Sequence, residues 1–340
     1  MARSSRAYIW FGYAVSVACL VWVLYGFHVK TALAHLADVT WRWVALGIAL
    51  DIASYVVQAL RWKLLLAPFA RVKMRDAIRG VFAGLFANLV FPLRPGELLR
   101  AYLVSKAEDI ELGTVVGSVL VERLIDLVVT TAGLGVMLTI VPAPLRFRHA
   151  ASALGIVTLA LLGLFVAMIL YIEFRFGGDP RRMSGGKRMP GKLMSALMGL
   201  HAMGTSASFY PAVFTSLLMP FCQVLALWAL MKSYGMGLPF LAAVVVLFVI
   251  NLGVSLPNAP ANVGAYQLFC VLGLSIFEVE KTTAAGFSIF AFIMMNLPFF
   301  LLGFYAVLRS GLSVRSMREQ VSRLPSEARK TRGSKLAAGS

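Results

Sequence analysis

The sequence predicts an all-α, polytopic membrane protein of about eight membrane segments, two of them broken or re-entrant. Of its 340 residues, 59% are hydrophobic and 14% charged, whereas a soluble domain has about 25% charged residues. Apolar runs such as 43–60 and 151–171 are continuous, not alternating. About 20 apolar residues cross the ~30 Å hydrocarbon core as a helix, because backbone hydrogen bonds must close within the segment.

Nine apolar segments are candidate spans. They are 9–27, 43–60, 77–93, 112–140, 151–172, 209–231, 239–257, 262–278 and 284–308. The net charge of +17 is concentrated between them, where anionic headgroups attract it, so we expect no nucleic-acid partner. The positive-inside rule places the N-terminus, the basic loops 61–73 and 175–192, and the tail in the cytoplasm, in a bacterial inner membrane.

Three candidate spans lie between the two basic loops, where an even number of crossings is needed. The segment 77–93 is predicted not to cross, because Pro92 and Pro95 end its helix. We predict that it is re-entrant, breaks at 92–96 and returns through 98–106. Residues 1–310 then form the membrane domain, and 311–340 form a basic, disordered cytoplasmic tail.

A similar interruption recurs in the second half of the chain, as a weak internal repeat. The pattern Asn-…-Pro-x-x-Pro at 88–95 is echoed at 251–260. Paired interruptions are typical of a central site in transporter-like folds, and ordinary proline kinks are the alternative interpretation. The predicted break residues are Pro92, Pro95, Gly96, Asn251, Pro257, Pro260 and Gly264.

Charged and amide side chains lie inside or close to apolar sequence between residues 88 and 126. They are Asn88, Arg94, Glu97, Arg100, Glu122, Arg123 and Asp126. A charge at mid-bilayer costs at least ~2.5–3.5 kcal/mol, so it pairs with another charge or lines a wet cavity. Two interpretations are open. The residues form an Arg–carboxylate network that pins the re-entrant segment, or a cationic chamber for an anionic headgroup, since guanidinium binds phosphate bidentately.

Sequence signatures of catalysis and metal binding are absent. The three cysteines and four histidines are scattered, and neither H-E-x-x-H nor G-x-S-x-G occurs. We therefore expect no enzymatic activity, no metal and no cofactor. No ATP-binding motif is present either, so any transport would be passive or gradient-coupled, with a carboxylate such as Glu97 as a proton carrier.

The stretches FAGLFANLVFPLRPGELLRAYLV (82–104) and VGSVLVERLIDLVV (116–129) resemble the lysylphosphatidylglycerol synthase transmembrane-region family. Its pattern of Asn, P-x-R-x-G-E-x-x-R and E-R-x-x-D is present, and Arg61-Trp62 after the second span also fits. The hydrophobic layout agrees over roughly residues 8–310. One departure is Gln267, which stands where the family's second motif commonly has glutamate, so the role of that carboxylate is in doubt.

The resemblance implies a flippase-like domain that translocates or handles a membrane lipid, which we expect to be an anionic phospholipid or a related lipid-linked substrate. The aminoacyl-transferase domain of the synthases is not in this sequence, so synthesis of lysyl-lipid is not implied. The alternative is a non-catalytic accessory subunit for a lipid-modifying enzyme or glycosyltransferase. A membrane-embedded enzyme ranks third, and homo-oligomerisation is left open.

Overall fold

The structure, a computed structural model, describes residues 2–28, 30, 35–91, 95–140, 145–176, 203–254 and 260–309. The regular elements in those ranges are helical, which confirms the all-α class. In chain order they are α1 (Ala2–Leu24), α2 (Trp41–Leu66), α3 (Met74–Val90), α4 (Gly96–Ala107), α5 (Leu112–Ile140), α6 (Leu145–Phe176), α7 (Phe209–Ser233), α8 (Phe240–Val254), the 3-10 turn Pro260–Asn262, α9 (Ala265–Ser275) and α10 (Lys281–Arg309).

Within the described residues, four helices are long and apolar enough to cross a membrane: α2, α7, α10 and the segment Ser152–Tyr171 of α6. Shorter apolar stretches are Gly12–Leu24 of α1 and the whole of α8. Helix α5 has 29 residues, or roughly 44 Å, which also exceeds the ~30 Å hydrocarbon core. The chain is an integral, polytopic membrane protein, as the sequence predicts.

Several helix ends meet on one side of the bundle, which we call the Ser233 face. The backbone N–H of Thr40 donates to the carbonyl of Ser233 at 3.1 Å, joining the start of α2 to the end of α7. The Lys281 ammonium donates to the carbonyl of Tyr25 at 2.9 Å, joining α10 to the end of α1. Exposed Trp22 and Trp41 lie close to this face, as aromatic residues do at membrane interfaces.

The opposite side of the bundle is the Lys73 face. The Lys73 backbone N–H, just before α3, donates to the Glu108 carboxylate at the end of α4 at 2.8 Å. Helix α2, which begins on the Ser233 face, ends at Leu66 on this side. Helices α3 and α4 therefore leave the Lys73 face and return to it.

Helices α3 and α4 form the first hairpin (74–107). They are antiparallel, because Gly80 faces Val104 and Gly84 faces Gly96. A Cβ added to Gly96 would lie 2.0 Å from the Gly84 carbonyl oxygen, so only glycine allows this approach. With 17 and 12 residues, the helices are roughly 26 and 18 Å long, shorter than the hydrocarbon core.

Helices α8 and α9 form the second hairpin (240–275), which begins and ends on the Ser233 face. Gly273 faces Val246, and Gly253 faces Phe269, so this pair is also antiparallel. The helices have 15 and 11 residues, or roughly 22 and 16 Å. The sequence treats 239–257 and 262–278 as two separate spans, whereas each helix is about half to three quarters of the length needed.

The turn of the second hairpin packs against the middle of the molecule. Helix α3 contacts the turn Pro260–Asn262. Gly264 has a φ of 86°, and a Cβ there would lie 2.3 Å from the carbonyl oxygen of Ser16 in α1. The two hairpins thus enter the bundle from opposite faces and meet inside it. Pro95 and Pro260 lie at the described edges of the two connections, and residues 92–94 and 255–259 of the predicted breaks lie outside the described residues.

Candidate functional site

Helices α2, α4 and α5 bring charged side chains together in the half of the bundle nearer the Lys73 face. We call the set the ionic network: Arg61, Glu97, Arg100, Glu122, Arg123 and Asp126. It contains three guanidinium groups and three carboxylates, so its formal charge is zero. Glu122 lies ten residues into α5, about 15 Å from the first residue of that helix.

Glu122 is the centre of the network, and its side chain is fully buried. Its Oε1 accepts hydrogen bonds from Arg61 Nη2 at 2.6 Å and from Gln58 Nε2 at 2.7 Å. Its Oε2 accepts from Arg100 Nη2 at 2.8 Å. A buried carboxylate is tolerated only when cations and donors satisfy it in this way.

Arg61 is buried as deeply as Glu122, with a side chain that is 1% exposed. It also pairs with Asp126, and its Nη1 lies 3.3 Å from Ser216 Oγ of α7. The sequence interpretation that Arg61 begins a cytoplasmic loop is wrong, because α2 continues to Leu66. The local run of basic residues suggests a loop, while the partners that neutralise Arg61 are far away in the chain.

The spacing of polar residues in α2 is a sequence pattern that could have identified Arg61 as a buried residue. Asp51, Ser54, Gln58 and Arg61 recur every three or four residues, which places them on one helix face. All four are buried. A polar stripe on an otherwise apolar span indicates contact with other polar groups inside the bundle and not with lipid.

Arg100 ties the first hairpin to the rest of the network. Its Nη2 lies 2.6 Å from Glu97 Oε2 and 2.8 Å from Glu122 Oε2. Its guanidinium carbon lies 4.9 Å from the centre of the Trp62 ring, in cation–π contact. The Trp62 indole N–H in turn donates to Ser118 Oγ at 2.9 Å, so α4 is held against both α2 and α5.

One edge of the ionic network is accessible. We call Glu97, Arg123 and Asp126 the open edge, because their side chains are 33%, 48% and 28% exposed. Arg123 Nη2 lies 3.0 Å from Glu97 Oε1, and Arg123 Nη1 lies 3.4 Å from Asp126 Oδ2. An anion could reach Arg123 here without the buried pairs being broken.

Five of the seven predicted site residues come together in the network. Asn88 does not: its Oδ1 accepts the backbone N–H of Gly96 at 2.8 Å and so caps the first turn of α4. Arg94 and Pro92 lie outside the described residues. The geometry is that of mutually paired charges, as in the first interpretation; binding of a headgroup stays a prediction.

The turn of the second hairpin has the same kind of cap. The backbone N–H of Gly264 donates to Gln267 Oε1 at 2.7 Å. Gln267 is buried, so the amide keeps a hydrogen bond at the position where relatives commonly carry a charge. Asn251 is partly buried at the end of α8, and Pro257 lies outside the described residues.

Among the described residues, no group of three or more His, Cys, Asp or Glu side chains is arranged to hold a metal ion. Cys19, Cys222 and Cys270 are free thiols. The candidate site is therefore built from arginines, carboxylates and amide or hydroxyl groups.

The family model described as "Lysylphosphatidylglycerol synthase TM region" matches residues 9–303 of the chain. A UPF0104 membrane protein of Methanocaldococcus jannaschii is 23% identical over 288 residues, which cover 78% of this chain and 84% of that protein. No solved structure matches the chain. The matched range 9–303 includes α2, both hairpins and the whole ionic network.

Proposed function

Because the chain belongs to the family of the lysylphosphatidylglycerol synthase TM region, we propose that it translocates or handles an anionic phospholipid or related lipid-linked substrate. The headgroup binds at the open edge of the ionic network. The observation that carries the proposal is Arg123, which is half exposed while Arg61 and Arg100 are buried in ion pairs.

The exchange of partners at Arg123 supplies a binding mechanism. A phosphate group presents two oxygens to one guanidinium, which gives a stronger pair than a single carboxylate contact. The phosphate replaces Glu97 as the partner of Arg123, and Glu97 keeps its contact with Arg100. The lipid tails stay in hydrocarbon throughout, so only the headgroup needs a polar path.

The proposed orientation has the Lys73 face in the cytoplasm, following the positive-inside rule. Described basic residues near this face are Lys63, Arg71, Lys73, Arg75 and Lys106. The basic segment 177–192 and the tail follow helices that run towards it. Both termini are then cytoplasmic, the membrane is the bacterial inner membrane, and the first hairpin enters from the cytoplasmic side.

The proposal involves no bond-making step, metal or cofactor, and it treats the chain as a binding and transport protein, not an enzyme. Its partners are membrane lipids. A non-catalytic accessory subunit, bound to a lipid-modifying enzyme or glycosyltransferase, is the alternative that the experiment below addresses.

The test is lipid exchange between leaflets of liposomes that contain the purified protein. Trace phosphatidylglycerol or phosphatidylcholine, fluorescent in one acyl chain so that the headgroup is intact, is bleached from outside by dithionite. Wild type should expose inner-leaflet phosphatidylglycerol faster than empty liposomes do. Arg123→Ala should reduce that rate at least tenfold, because it removes the partner of the phosphate.

Arg79→Ala is the matched control, since Arg79 pairs with Asp76 at 3.4 Å on the first hairpin but outside the network. It should keep the wild-type rate. Exchange of both lipids at the empty-liposome rate would contradict transport, and co-purification of an enzyme would then support the accessory role. Equal rates for wild type and Arg123→Ala would contradict the headgroup site.

A further inference from the structure

Asp51 is a buried carboxylate away from the ionic network. It lies ten residues into α2, about 15 Å from the start of that helix, and is 2% exposed. Among the residues that the structure describes, its Oδ2 has no hydrogen-bond partner. The nearby Ser54 hydroxyl donates at 2.7 Å to the Asp51 backbone carbonyl and not to the carboxylate.

No ion pair to Asp51 occurs in the part of the chain that the structure describes. This distinguishes Asp51 from Glu122, which has two buried arginines. An ionised carboxylate in hydrocarbon without a counter-charge is strongly unfavourable, so the group is neutralised by a proton or a bound cation. A cation would need several oxygen ligands, and no group of three or more His, Cys, Asp or Glu side chains that could hold a metal ion occurs in the described ranges, so a proton suits the site.

The second hairpin contributes to the surroundings of Asp51, because Val44 and Ile48 near the start of α2 share an apolar cluster with Cys270 and Val271 of α9. The hydroxyl of Tyr266, the second residue of α9, is close enough to Asp51 to interact with it electrostatically. It also interacts electrostatically with Tyr55, which lies one turn after Asp51 on α2. Cys270 follows on the same face of α9.

Helix α7 runs antiparallel to α2, with Ala226 and Leu230 against Gly47, so Cys222 lies at a similar level to Asp51. The charged residues of the described parts of α3 and α10 lie towards their outer ends: Arg75, Asp76, Arg79, Lys281 and Arg309.

We propose that Asp51 is the proton-binding site of the transport cycle, covered and protonated when the second hairpin is packed against α2. When the turn 260–264 moves away, water reaches the carboxylate and accepts the proton. Repacking of the hairpin requires the carboxylate to take up a proton from water again, so each opening and closing releases and binds one proton. The transport part of this inference rests on the proposed function.

The second hairpin is suited to such a movement. Helices α8 and α9 carry no charged residue, so no ion pair has to break when they shift. Gly264 and Gly273 pack directly on the backbone of Ser16 and Val246, and these close contacts make the packed state well defined. In the packed arrangement Asp51 is dry, and in the shifted arrangement water reaches it. This hydration is the electrostatic difference between the two positions of the hairpin.

The first measurement is independent of transport. Infrared spectra of the full-length protein in lipid nanodiscs should show a protonated carboxyl band at neutral pH. Asp51→Asn should remove this band, and Glu280→Gln, at an exposed carboxylate, should keep it. An unchanged band in Asp51→Asn would overturn the assignment.

Hydrogen exchange of residues 265–275 tests the coupling to the hairpin. Compared at the same alkaline pH, wild type should exchange severalfold faster than Asp51→Asn, which imitates the protonated form, and at acid pH the two should agree. Equal exchange at both values would overturn the coupling. Because Asn is neutral and similar in size, the variant should melt at or above the wild-type temperature, which excludes misfolding.

Transport supplies the third readout. A pH gradient across the liposomes should change the wild-type exchange rate at least threefold and leave that of Asp51→Asn unchanged. A gradient effect retained in Asp51→Asn would contradict the coupling role. If wild type moves no lipid at all, the proposed function fails, while the infrared band and the hydrogen exchange still decide whether Asp51 binds a proton and controls the hairpin.

Discussion

The two hairpins share a backbone design but differ in charge. In each, an amide side chain accepts the N–H of a glycine at the turn: Asn88 for Gly96, and Gln267 for Gly264. The first hairpin then contributes Glu97 and Arg100 to buried ion pairs. The second contributes no charged residue. The first is thus anchored by ion pairs to α5, whereas none of the ion pairs among the described residues involves the second.

This difference in charge suggests that the two hairpins have different roles. A hairpin held by buried ion pairs moves only if charges are separated in a low-dielectric interior, which is costly. A hairpin that carries no charged residue can shift without separating charges, at a much lower cost. We infer that the first hairpin provides a fixed binding surface and that the second provides the movement.

The largest expected effect is at the centre of the fixed part. Glu122→Gln leaves Arg61 and Arg100 buried without their shared counter-charge, so we expect a loss of about 3–5 kcal/mol in the free energy of unfolding. Thermal unfolding in detergent, followed by loss of the monodisperse gel-filtration peak, measures it. Asp76→Asn is the control, because its pair with Arg79 is partly exposed and contributes about 0–1 kcal/mol. Equal melting temperatures for the two variants would show that the network does not hold the bundle together.

An intermediate effect is expected at the two caps, and it tests their equivalence. Asn88→Leu and Gln267→Leu each leave a glycine N–H inside the bundle without an acceptor, which costs about 1–3 kcal/mol. Gln267→Glu keeps an acceptor at the third position of a helix, as a capping box requires, so it should lose less than Gln267→Leu. The same unfolding measurement compares all three. A large loss for only one of the two leucine variants would mean that the hairpins are not built alike.

The helices can be predicted from the sequence, because a backbone in hydrocarbon must satisfy its hydrogen bonds within the segment. Most predicted spans end within a few residues of the observed helices, as at 209–231 and α7 (Phe209–Ser233). The half-length of α8 and α9 is less apparent, since a re-entrant helix and a spanning helix are equally apolar. Their antiparallel pairing depends on close glycine contacts between segments, which hydropathy does not reveal.

The site can be predicted from the sequence only where its residues lie close together along the chain. Glu97, Arg100, Glu122 and their neighbours do, and a sequence motif identifies them. Arg61 reaches Glu122 across 61 positions of the chain, and the run of basic residues beside it suggests a loop. Asp51 lies within a span that is predicted for its apolar residues, and its unsatisfied Oδ2 is a property of the folded state alone.

The smallest effect on stability, and the most informative contrast, is expected at the open edge. Arg123 is half exposed, so Arg123→Ala should lower the free energy of unfolding by about 1 kcal/mol or less. Arg61→Ala should lower it by about 3–5 kcal/mol, because Glu122 loses a buried partner. If the network only held the bundle together, lipid exchange would fall in proportion to stability. We expect Arg123→Ala to depart from that relation, with near-normal unfolding and an exchange rate at least tenfold lower. Lipid exchange and unfolding measured on the same preparations decide this. If wild type, Arg61→Ala and Arg123→Ala fell on a single line of exchange rate against free energy of unfolding, the open edge would have no role in binding the headgroup.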